Sequence, residues 1–61
     1  MELKDKNNLM NEISNCSNEI RQAYICLDQV NDPDLIESCI YRIKSLECKH
    51  SALLKEYKRI V

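Results

Sequence analysis

The chain has 61 residues, 44% of them hydrophobic and 31% charged, with a formal net charge of −1 and no glycine. That length allows one domain with a thin core, and the composition lies well away from the weakly hydrophobic, highly charged regime of disordered chains. A near-zero net charge supplies no global field to draw nucleic acid or an acidic membrane, and the absence of glycine excludes glycine-rich phosphate-binding loops.

No apolar run approaches the roughly 20 residues of a membrane span. Met1 to Asn8 lack the apolar core of a signal peptide, so a cytoplasmic protein is the expectation. The cysteines, Cys16, Cys26, Cys39 and Cys48, include no Cys-x-x-Cys pair. Without an export signal they read as reduced, small, buried or half-buried residues rather than a disulfide framework.

From Leu9 to Val30 the apolar positions Leu9, Ile13, Cys16, Ile20, Ala23, Leu27 and Val30 fall at steps of 4, 3, 4, 3, 4 and 3. This is an unbroken heptad seam, and the residues between its members are mostly polar, so a first amphipathic helix is predicted over about residues 3–30. Its asparagines are poor helix formers, and it should need tertiary contacts to hold.

Asn31-Asp32-Pro33-Asp34 reads as a helix stop followed at once by a helix start, with the turn at 31–32. Asn31 suits a left-handed helix end. Asp32 suits an N-cap and Pro33 the first helical position, where a missing N–H is no loss. Asp34 lies in the first turn, where the helix dipole favours a negative charge.

The second helix, predicted over about 33–60, carries the seam Ile36, Cys39, Ile43, Leu46, His50, Leu53, Tyr57 and Ile60. Lys58 and Arg59 close it in the arrangement the dipole favours. Folded at Pro33, the two seams pair with a constant register: Val30 with Ile36, Leu27 with Cys39, Ala23 with Ile43, Ile20 with Leu46, Cys16 with His50, Ile13 with Leu53 and Leu9 with Tyr57, each pair of numbers adding to 66. Two seams read separately and agreeing in this way predict an all-α fold: one antiparallel helical hairpin occupying residues 1–61, roughly 35–40 Å long, that dimerises into a four-helix bundle.

Asp32-Pro33-Asp34-Leu35-Ile36-Glu37-Ser38-Cys39-Ile40-Tyr41-Arg42-Ile43, followed by Leu46 to Lys58, resembles the YaaL-like family of small uncharacterised proteins of Gram-positive bacteria. The likeness covers residues 32–58 well and the first helix only by length and pattern. It implies a short cytoplasmic helical protein, often encoded near recombination and replication genes, with no activity to carry over. In that family the position of Cys39 is more often alanine and that of His50 more often aromatic, which argues against a family-wide cysteine or histidine chemistry.

Three constellations invite a chemical reading. Glu47-Cys48-Lys49-His50 has the Glu-x-x-His spacing of di-metal bundles, but Glu12 and Glu19 fall on the opposite flank from Glu47, and the plainer reading is a boundary histidine beside a solvated glutamate. Cys16 opposite His50 could give a dimer a two-cysteine, two-histidine zinc site, yet a polar notch in a seam more commonly fixes register. A Cys–His nucleophile would need a pocket and an orienting third group, which a seam does not offer. Lys44, Lys55, Lys58 and Arg59 on the outer face of the second helix could touch phosphates; without aromatic interleaving, an ordinary solvated face accounts for them. No catalytic residue, cofactor or metal ligand is assigned.

One feature exceeds what a lone hairpin needs. Leu3, Met10, Tyr24, Ile40, Leu54 and Val61 lie on one flank of both seams and also pair across the hairpin, with Ser17 and Glu47 interrupting the middle. The other flank carries Glu12, Glu19, Cys26, Arg42, Lys49 and Glu56, mostly charged. Two helices cannot bury so wide an apolar face against each other. The expected function is therefore a non-enzymatic interaction module working through this flank, as a homodimer or with another protein. An accessory factor in nucleic-acid metabolism and a metal-binding bundle are the alternatives.

Overall fold

The computed structural model describes the backbone of residues 3–61 and the side chains from Lys6 onward. Two α-helices, α1 (Leu3–Gln29) and α2 (Pro33–Ile60), pack against each other as a hairpin. Its long dimension is 46 Å, greater than the seam-based expectation because both helices continue beyond the paired positions.

The seam is the core. Leu9, Cys16, Ala23, Ile43 and Leu46 are buried, and every other predicted seam residue, from Ile13 to Ile60, is half-buried. The deepest side chains are small: Cys16 is 1% exposed and Ala23 4%. Short side chains at these positions let the backbones come close, and the Cys16 thiol donates to the Leu46 main-chain carbonyl of the opposite helix at 3.3 Å. In an α-helix that carbonyl points toward the residue four positions on, which here is His50, so Cys16 lies level with the Leu46–His50 turn.

The start of α2 has the geometry its sequence predicts. Asp32 is extended (φ −72°, ψ 128°), and its carboxylate accepts from the N–H groups of Asp34 at 2.8 Å and Leu35 at 3.4 Å. Pro33 is the first helical residue, and the Ile36 N–H donates to the Asp32 carbonyl at 2.9 Å. At the far end the Val61 N–H donates to the Tyr57 carbonyl.

The end of α1 differs from expectation. The helix stops at Gln29, the connection is Val30-Asn31-Asp32, and among the described residues none has a positive φ, so Asn31 does not adopt the left-handed stop. An exposed Asn31 leaves the terminal carbonyls open to water, and half-buried Val30 ties the connection back to the hairpin, so no left-handed residue is required. This terminus is weakly closed: its last turn has no basic residue and includes Asp28, the wrong sign for the helix dipole.

These two ends should respond oppositely to substitution. Asp32→Ala removes the cap and should cost about 1 kcal/mol, lowering the thermal midpoint by roughly 4–8 °C. Asp28→Lys should raise the midpoint by a few degrees, as a charge of the favoured sign replaces the other. Melting followed by circular dichroism reads both; an unchanged Asp32→Ala variant would show that the cap does not hold the turn.

Candidate functional site

In an antiparallel pair each helix turns two flanks outward beside the seam, and heptad phase decides which residue lands on which. The structure places Met10, Tyr24, Ile40, Leu54 and Val61 outside the core, with exposures of 47%, 47%, 40%, 36% and 64%. The side chain of Leu3 lies outside the described residues. Met10 and Leu54 line one open hollow of about 410 Å³ together with Ile13, Ser17 and Tyr57. Tyr24 and Ile40 line a smaller one of about 200 Å³ over Leu27 and Ile43. The structure thus brings each of these predicted pairs to a common surface.

Between the two hollows, the polar interruption is organised. The Tyr24 hydroxyl donates to a Glu47 carboxylate oxygen at 3.3 Å across the helices, so the acid in the middle of the flank has a partner. Lys44, expected on the solvated outer face, borders the Tyr24–Ile40 hollow alongside Glu47. At the open end of the hairpin the Lys6 ammonium stands 6.0 Å from the centre of the Tyr57 ring, within cation–π range. Lys6 was missed as a contact residue, although it continues the heptad phase of Leu9 back by one step.

The other flank is more divided than its charged residues suggest. Arg42 pairs with Glu19 at 3.8 Å, with both side chains largely exposed, an arrangement worth little to stability. Arg59 pairs with Glu56 one turn away, which holds the guanidinium firmly protonated. Near the turn, however, Cys26, Val30, Leu35 and Cys39 form an apolar-walled hollow of about 440 Å³. Leu35, 54% exposed, was not read as a surface residue, although its heptad position matches that of Arg42 one heptad on. In this hollow the Cys39 thiol donates to the Cys26 sulfur at 3.8 Å. Desolvation first, then this hydrogen bond and the proximity of Cys26, push the Cys39 thiol pKa up, with Arg42 opposing.

The four cysteines therefore occupy different environments: Cys16 in the core, Cys26 and Cys39 in mutual contact, Cys48 exposed on the outer face of α2. Cys16 gives its hydrogen bond to the Leu46 carbonyl, and His50 is half-buried. Among the described residues of one copy, no three His, Cys, Asp or Glu side chains gather in a way that could hold a metal ion. His50 is a half-buried polar ring on an apolar seam, and His50→Leu should stabilise the hairpin by about 1 kcal/mol, seen as a rise of roughly 4–8 °C in thermal midpoint. A fall in the midpoint would show that the ring makes a contact the fold depends on. Metal analysis of the purified protein should find no stoichiometric zinc or iron.

Among the described residues no helix is long and apolar enough to cross a membrane. No curated protein and no solved structure matches the chain. Residues 2–60, nearly the whole hairpin, match the family described as a protein of unknown function, DUF2508, and the chain belongs to that family.

Proposed function

We propose that this hairpin is a non-enzymatic interaction module of the cytoplasm that docks through the Met10–Tyr24–Ile40–Leu54 flank onto a second copy of itself. One observation carries the reading: four large apolar side chains at matching heptad positions on both helices stay 36–47% exposed on one flank while the seam beside them is closed. Scattered single apolar residues need no explanation, but a run shared by two helices along one flank costs solvation that a partner would relieve.

A second copy suits the flank for two reasons. An isologous two-fold contact sets the same patch against itself, so each apolar hollow has an apolar counterpart without a further gene product. Charge also favours it. Residues 1–34 carry three basic and seven acidic side chains and residues 35–61 six basic and three acidic, so a copy whose acidic α1 lies over the basic α2 of its partner gains electrostatic complementarity. Val61, 64% exposed, would extend the same surface to the open end of the hairpin. The narrower placing among the YaaL-like proteins of Gram-positive bacteria rests on the Asp32–Ile43 and Leu46–Lys58 segments and is consistent with this small accessory role.

Sedimentation equilibrium tests the proposal. The wild type should be a dimer at micromolar concentration, and Leu54→Glu or Ile40→Arg should give monomers of reduced helicity, because each places a charge inside the contact. Lys49→Glu, on the opposite flank, should change neither mass nor helicity. A stable, fully helical wild-type monomer whose behaviour Leu54→Glu leaves unchanged would reduce the flank to hairpin surface. DNA retention that weakens with salt, or metal held at one ion per dimer, would move the assignment to an accessory factor of nucleic-acid metabolism or to a metal-binding bundle.

A further inference from the structure

We propose that Cys26 and Cys39 form a reversible thiol–disulfide site that exchanges with low-molecular-weight disulfides and, when oxidised, staples the two helices beside the turn. The two sulfurs come from different helices and already touch, at 3.8 Å, so a bond of about 2.05 Å needs a modest side-chain adjustment. The pair lies on the flank opposite Met10 and Leu54, and the inference stands independently of how that surface is used.

Accessibility singles this pair out from the other thiols. Cys26 is exposed and Cys39 half-buried, and both face an open hollow of about 440 Å³ that a small disulfide can enter. Cys16 is sealed in the core with its thiol committed to the Leu46 carbonyl. Cys48 is open to solvent but sits among Lys44, Ser51, Ala52 and Lys55 on the outer face of α2, with no second thiol in contact among the described residues.

The geometry also orders the steps. Cys26 is exposed whereas Cys39 is half-buried, so Cys26 is the one presented to an incoming disulfide. As thiolate, the Cys26 sulfur attacks one sulfur of the small disulfide; its S–S bond breaks, one small thiolate leaves and takes up a proton, and a mixed disulfide remains on Cys26. Cys39 then gives its proton to solvent, and its sulfur attacks the Cys26 sulfur, expelling the second small thiolate, which is protonated in turn. Two protein thiols are oxidised, one small disulfide is reduced to two small thiols, and an excess of small thiol reverses the sequence. Arg42 lines the same hollow and favours the anionic Cys39 sulfur of the second step, against the desolvation and the Cys26 contact that raise its pKa.

The bridge would enclose residues 27–38, which include the weakly closed end of α1 and the whole connection. Cross-linking a loop of this size restricts the unfolded chain and should raise the thermal midpoint by roughly 10 °C or more.

The test incubates the reduced full-length protein with oxidised glutathione, quenches with acid, alkylates free thiols after unfolding, and digests with a protease that cuts at Asp28 and Asp32, which separates the two cysteines unless they are linked. The expected product is an intramolecular Cys26–Cys39 bridge, two hydrogens lighter, with Cys16 and Cys48 alkylated and the thermal midpoint raised. Cys39→Ala should stop the sequence at the first step and leave a persistent glutathione adduct on Cys26. A wild-type adduct on Cys26 that never closes, or bridges formed chiefly between chains through Cys26 or Cys48, would overturn the proposal.

Discussion

Everything in this molecule depends on how little two helices can hide. A helix pair closes one stripe of side chains on each partner, two positions in seven, and whatever lies beside that stripe stays in contact with water. Here the stripe is complete, from Leu9 to Val30 and from Ile36 to Ile60, and no large aromatic fills its centre. The centre is held instead by Cys16 and Ala23, whose shortness lets one helix reach the main chain of the other. Close backbone approach gains dispersion contacts but narrows the volume available for further burial. The apolar residues one step off the seam are consequently left outside.

That constraint sorts the two flanks. On one, Met10, Tyr24, Ile40 and Leu54 form apolar ground broken by a single tyrosine–glutamate hydrogen bond, which satisfies the carboxylate without removing it from water. On the other, charge predominates along the middle and apolar surface returns only near the turn, around Leu35 and the two cysteines. The flanks therefore offer different chemistry to the surroundings: a hydrophobic strip running with the helices, and a local thiol-bearing hollow at one end.

The turn couples these features. Asp32 and Pro33 fix where α2 begins, and that single choice sets the register along the whole hairpin, including which side chain faces Cys16 and which cysteine meets Cys26. The two helix ends meeting there are unequal. The start of α2 is capped by a carboxylate, whereas α1 ends beside Asp28 with no cationic side chain in its last turn. The contact between Cys26 and Cys39 lies directly above this weaker end.

By itself the sequence determined the two helices, their near-boundaries, the cap at Asp32, the seam and the side of it on which Met10, Tyr24, Ile40 and Leu54 stand. These are consequences of periodicity and of local backbone chemistry, which act over a few residues. Only the tertiary structure decided what long side chains do once the helices are joined: that the Cys16 thiol turns to the Leu46 carbonyl, that Tyr24 reaches Glu47, that Lys6 lies over Tyr57, and that Cys26 and Cys39 share one hollow. Heptad phase names the neighbours across a seam but not which rotamer each adopts or which of several polar groups it chooses. The same limit explains Asn31, whose preference for a left-handed stop was overridden once the exposed helix end could be satisfied by water and Val30 was drawn against the hairpin. Local preference is weak, of the order of a few tenths to one kcal/mol, and packing decides wherever the two disagree.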